Sequence, residues 1–152
     1  MKIEGSLYFE DFAVGQVYET GDWTVSEEEV IAFGKKYAPL PYHTDVEAAR
    51  HTSFGELVAA GYQTASITFS LFTRTGALLE SGMGSPGVDS LRWKKPVRPG
   101  DTLTVRVNVI EVSPASKPGG RDGVRLRYDT INQEGDIVMT LTSLHFVKRR
   151  PA

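Results

Sequence analysis

The sequence contains no cysteine, which removes disulfides, thiolate metal sites and cysteine nucleophiles from consideration. Its three histidines, His43, His51 and His145, are dispersed and lack paired carboxylates at ligand spacing, so no metal site is expected. No stretch approaches the ~20 uninterrupted apolar residues that a membrane-spanning helix needs. The segment from Met1 to Glu10 carries Glu4 and Glu10 and no apolar run, unlike a secretory signal. Neither a phosphate-binding nor a dinucleotide-binding glycine pattern occurs, and no basic run is dense enough to suggest nucleic acid. What remains is the expectation of a cytoplasmic globular protein without a membrane or nucleic-acid partner.

The 152 residues, 40% hydrophobic and 24% charged, suit one domain over 1–152 with a single sizeable core. The net charge of −2 is unevenly spread. Residues 1–91 hold 5 Lys and Arg against 13 Asp and Glu, and residues 92–152 hold 12 against 6. The basic second part is either the ordinary exposed surface of strands or, in part, a receiver for a polyanion.

A strand is predicted from Gln16 to Val25. Ser26 then caps a helix, with Glu29 placed to return the bond in a capping box. Val30, Ile31 and Phe33 supply its apolar face, and Pro39 and Pro41 stop it near Tyr37. The segment Tyr37 to His43 therefore reads as a stiff extended loop that delivers His43. Asp45 is placed to cap a short turn, and Leu57 to Leu79 reads as the dominant helix. Arg74 is its one formally charged residue, so it is expected to be wrapped on all sides. Gly87 to Val97 reads as a strand. Leu103, Val105, Val107 and Val109 alternate with polar residues, as do Val124, Leu126 and Tyr128, giving half-buried strands. Asn132 to Asp136 supplies a turn, and the chain after it is apolar on both faces, as in a central strand. One strand, a long buried helix and four strands predict an α+β fold, a curved antiparallel sheet wrapped around the helix. The open sheet edges predict at least a homodimer.

The run Tyr37–Ile67, "YAPLPYHTDVEAARHTSFGELVAAGYQTASI", resembles the signature of MaoC-like proteins and (R)-specific enoyl-CoA hydratases. "LRWKKPVRPGDTLTV" (Leu91–Val105) and "NQEGDIVM" (Asn132–Met139) resemble further segments of that family, in the same order. The resemblance implies the hot-dog fold. It also implies hydration or dehydration of a 2-enoyl/3-hydroxyacyl thioester, with acyl-CoA as substrate and no other cofactor. It assigns His43 as the catalytic histidine, Gly61 as the glycine whose amide polarises the thioester carbonyl, and Ser66 as a site-shaping serine. Pro41 and Asp45 also match. The family's catalytic aspartate, five residues before the histidine, is Ala38 here, and an amide position is Leu40.

The chemistry explains why such residues are wanted. Adding water across an enoyl thioester needs a base for water, an acid for the α-carbon and a donor for the enolate-like oxygen. An imidazole serves the proton transfers, each worth roughly 10²–10⁴ in rate. A backbone N–H at a helix N-terminus serves the oxygen, and a glycine lets the substrate approach, although close packing alone also explains a glycine. With the aspartate missing, Asp45 is the nearest carboxylate, open to a catalytic or a capping role. Ser66 is open to site-shaping or to bonding back along its helix. Pro41, Tyr42, Ala60 and Arg92 are the expected substrate contacts. Arg92, Lys94, Lys95 and Arg98 either meet coenzyme A phosphates or are solvated. Two alternatives stand beside the hydratase: a binding or partner subunit that has lost chemistry at Ala38 and Leu40, and a thioesterase using Glu56.

Overall fold

The structure, a computed structural model, describes every residue from Met1 to Ala152. Strand β1 spans Val17–Thr24, helix α1 Glu27–Tyr37, and two single turns follow, α2 Pro41–Thr44 and α3 Val46–Ala49. Helix α4 spans Gly61–Thr73, and the strands β2 Val88–Trp93, β3 Thr102–Ser113, β4 Gly123–Ile131 and β5 Ile137–Phe146 complete the chain. The strands form one antiparallel sheet in the order β1-β3-β4-β5-β2. This is the expected hot-dog arrangement, and β1 and β2 are its open edges.

The core lies between the sheet and α4. The inward residues Leu103, Val105, Val107, Val109, Val124, Leu126 and Tyr128 are buried as their alternation predicted. They meet Ile67, Leu71 and Phe72 of α4 in one apolar cluster. Phe72 is fully buried, and truncating such a phenylalanine to alanine costs about 3–5 kcal/mol. Thr68 on α4 shares a 2.6 Å hydrogen bond with Thr130 on β4, which ties the helix polar-to-polar to the sheet.

Three expectations are corrected. Helix α4 is shorter than Leu57–Leu79, because Leu57 to Ala60 runs extended and is tied to the α2 turn and to the loop after β2. Val58 N–H donates to Tyr42 C=O at 2.9 Å and Ala59 N–H to Val97 C=O at 2.8 Å. Within this chain α4 is not wrapped on all sides, since Tyr62 and Phe69 stand 67% and 45% exposed. The capping box at α1 is half formed. Ser26 Oγ accepts from Glu29 N–H at 3.1 Å, but the Glu29 carboxylate accepts from the Ser26 hydroxyl and from the Trp23 indole N–H at 2.8 Å. No helix is long and apolar enough to cross a membrane.

Candidate active site

The path to the site begins at the end of α1. Ala38 leaves the helix at φ −148°, ψ 69°, and Leu40 is extended, both outside the α region that a following proline disfavours, but Pro41 then starts a helical turn instead of prolonging the loop. Its fixed φ and missing N–H suit the first helical position. His43 is thus carried on a rigid turn, 9% exposed. Gly34 of α1 makes room for it: a Cβ there would lie 2.4 Å from the His43 carbonyl oxygen and 2.9 Å from its Cβ. A mid-helix glycine costs about 1 kcal/mol against alanine, and that cost is the sequence signal by which Gly34 could have been noticed.

The His43 ring is fixed from both ends. Nδ1 lies 2.7 Å from the Val58 carbonyl oxygen and so donates its hydrogen there, which leaves Nε2 of the neutral ring with a free lone pair. Tyr42 packs edge-on against the ring at 4.5 Å, and Phe54 against Tyr42 at 5.0 Å. His43 lines a cavity of about 470 Å³ together with Ala38, Leu40, Tyr42, Gly61, Thr64 and Trp93, among others. No Asp or Glu lines it.

Gly61 opens α4, with Ala60 as the residue before the first turn. Its N–H donates to no group of the chain, so an unpaired donor stands at the positive end of a helix dipole, on a residue that lines the cavity. Close packing also operates. A Cβ on Gly61 would lie 2.4 Å from the Trp93 ring, whose Nε1 donates to the Gly61 carbonyl at 2.9 Å. Trp93 and Thr64 were not singled out from the sequence. Trp93 lies in the familial Arg-Trp segment, which was the signal available for it.

The structure gathers His43, Gly61, Tyr42 and Ala60 around one cavity and leaves four other candidates outside it. Asp45 is exposed and its Oδ1 accepts from Ala48 N–H at 2.9 Å, a helix cap on α3. Ser66 is exposed, lines an adjoining cavity with Ala38 and Tyr62, and donates back to the Tyr62 carbonyl at 2.8 Å. Pro41 starts α2 and does not line the cavity, and Arg92 is exposed on edge strand β2 with its guanidinium turned to the Leu91 carbonyl at 3.0 Å. The basic residues at the cavity are Lys94 and Lys95, the latter paired with Asp136 at 2.9 Å. Glu56 is ion-paired with Arg98 and lies off the cavity wall.

On the far side of α4 lies a buried polar cluster that has no local signal in the sequence. His145 Nε2 lies 2.8 Å from the Tyr128 hydroxyl and 3.0 Å from Ser143 Oγ, and the ring stacks on Phe69. Burial pushes His145 down to about 4 and the Tyr128 phenol up. His51 is exposed, 3.9 Å from Glu47.

A model of the MaoC like domain matches residues 11–124. The chain belongs to the MaoC-like domain family. Among MaoC-like relatives, a protein of Rhodospirillum rubrum named (R)-specific enoyl-CoA hydratase is 32% identical over 115 residues, which cover 72% of this chain and 74% of that one. A protein of Methylorubrum extorquens named 3-hydroxybutyryl-CoA dehydratase is 32% identical over 113 residues, covering 71% of this chain and 67% of that one. The crystal structure of a MaoC-like dehydratase from Rhodospirillum rubrum superposes with a TM-score of 0.84 at 37% identity, covering 96% of this chain and 99% of that one.

Proposed function

We propose that this chain adds water to, or removes it from, an acyl thioester of the 2-enoyl/3-hydroxyacyl kind, with acyl-CoA as the substrate. One observation carries the reading: His43 and Gly61 line the same cavity, and neither His43 Nε2 nor the Gly61 N–H has a hydrogen-bond partner in the chain. In it, the Gly61 N–H holds the thioester carbonyl and receives the charge that develops on its oxygen. His43 Nε2 takes a proton from water and later returns one to the α-carbon. Tyr42 and Ala60 shape the wall against the acyl group. Lys94, which has no carboxylate partner, and Lys95 meet the anionic carrier. The names of the two relatives at 32% identity support this class of substrate.

The experiment is direct. The purified chain is mixed with enoyl-CoAs of rising length and the loss of the conjugated enoyl absorbance is followed. His43→Ala is expected to lower turnover by at least about 10². Turnover that survives the substitution unchanged rejects the role given to His43.

A second reading has one specific observation behind it. Ala38 and Leu40 place apolar side chains in the cavity wall, and no carboxylate joins them. A subunit that binds acyl-CoA without converting it would give a saturable binding isotherm and no change in absorbance. Ala38→Asp would then raise hydration. Thioester hydrolysis has less support, because Glu56 is held by Arg98 away from the cavity; release of free coenzyme A is its readout.

A further inference from the structure

We infer that the Thr64 hydroxyl holds the reacting water beside His43, in the place where no carboxylate is available; this deepens the hydratase reading and rests on it. A water attacking a double bond must present one hydrogen to the base and a lone pair to the carbon. A single hydrogen bond to the imidazole leaves the water free to turn about that bond, so a second polar group is needed to orient it. The cavity wall contains no Asp or Glu, and its hydroxyls are those of Tyr42, Tyr62 and Thr64.

The three are not equivalent. Tyr62 stands 67% exposed, at the mouth. The Tyr42 ring is committed to packing between His43 and Phe54. Thr64 is 2% exposed, and its hydroxyl forms no hydrogen bond with the chain. That is unusual on this helix, where Ser66, Thr68 and Thr73 all donate back to carbonyls at 2.8, 2.8 and 3.2 Å. A buried hydroxyl normally finds a partner, and the partner left to Thr64 is whatever occupies the cavity. Thr64 also follows Gly61 by three residues, so the two lie on one face of α4. A thioester carbonyl held at the Gly61 N–H therefore lays its conjugated carbons along the face from which the Thr64 hydroxyl projects.

The step balances without a cofactor. The water oxygen bonds to C3 as one of its O–H bonds breaks, and that proton passes to His43 Nε2. The C2–C3 π pair shifts toward the thioester carbonyl, whose oxygen the Gly61 N–H holds. The imidazolium then gives the proton to C2, which restores His43. The second hydrogen of the water rests on Thr64 Oγ1 throughout and ends on the new C3 hydroxyl.

The test compares Thr64→Val, Thr64→Ser and Thr64→Val with Ala38→Asp added, all on the enoyl-CoA that the wild-type chain turns over fastest. Valine keeps the shape and loses the hydroxyl. It is expected to lower kcat by about 10² while KM moves by less than about threefold. Serine is expected to keep at least about a third of kcat. The added aspartate, entering the same cavity from position 38, is expected to recover about tenfold of the loss. If the valine protein melts below the assay temperature, Thr64→Ala against Thr64→Ser repeats the comparison, since those two differ in the hydroxyl alone. Wild-type turnover that the hydroxyl-free variants match within about twofold, or a serine variant as slow as the valine one, overturns the inference and leaves the hydratase reading standing. A wild-type chain that turns over no enoyl-CoA overturns both.

Discussion

At the scale of single residues, two glycines and one histidine carry most of what is specific to this molecule. Gly34 and Gly61 are both places where a neighbour occupies the space of a Cβ, the His43 backbone in one case and the Trp93 ring in the other. The two differ in what can yield, because an indole can swing and a peptide group cannot. Gly34→Ala is therefore expected to push α2 outward, lower stability by about 1–3 kcal/mol and lower turnover, while His43 itself is unchanged. Thermal melting and kinetics on the same preparation check it, and an alanine variant with full turnover would remove Gly34 from the positioning of His43. His145 governs a different property. Exposed in the unfolded chain it titrates at 6.5, whereas burial holds it to about 4 in the folded one. Between those values the unfolded state binds the extra proton, so folding stability rises with pH through this window. The contribution is complete above the unfolded value and is lost as pH falls toward the folded one, by about 3 kcal/mol in all. Urea unfolding from pH 7 down to about pH 4 is expected to show that slope, and His145→Gln to flatten it.

At the scale of elements, the local signals in the sequence were accurate where the cause is local. Ser26 starts α1 and the prolines after Tyr37 end it because a hydroxyl and a pyrrolidine ring act within a few residues of themselves. The turn at Asn132 forms for the same reason, its Oδ1 accepting from the N–H groups of Glu134 and Asp136 at 3.0 Å. The start of α4 was not legible. Leu57 to Ala60 is apolar and small, a composition shared by a buried helix and a buried extended segment. What decides between them is pairing with Tyr42 and Val97, which are distant in the chain. The same holds for the cavity: His43 and Gly61 were legible as candidates through the family resemblance, but Thr64 and Trp93 become visible only when β2 is laid beside the start of α4. Asp45 shows how a local reading settles a role. As a cap on α3, its loss in Asp45→Ala is expected to cost about 1 kcal/mol, whereas Asp45→Asn keeps an accepting oxygen and is expected to preserve both stability and turnover. An asparagine variant that melts like the parent yet loses turnover would return the carboxylate to the chemistry.

At the scale of the whole molecule, the curved sheet around a helix followed from one periodicity change, from a long apolar helix to alternating strands, and the order of the elements left little other choice. What the single chain does not provide is cover for all of its apolar surface. Edge strand β2 presents Val88 and Trp93 at 56% and 45% exposure, α4 presents Tyr62 and Phe69 at 67% and 45%, and Leu79 beyond it is 84% exposed. Tyr62 packs on Trp93 and Phe69 shares a cavity wall with Val88, so the exposed aromatics of α4 lie beside the β2 edge, where a second strand finds donors and acceptors waiting. A second copy meeting this edge in antiparallel fashion would pair the backbone and cover the aromatic residues together, which is the physical reason for expecting a homodimer. Light scattering on the purified chain is expected to give about twice the 16.7 kDa chain mass. Val88→Lys, which puts a charge on the edge without touching the His43 cavity wall, is expected to shift the mass toward the single chain. A wild-type chain that stays at the single-chain mass up to tens of micromolar would mean that the exposed aromatics of α4 and β2 answer to some other contact.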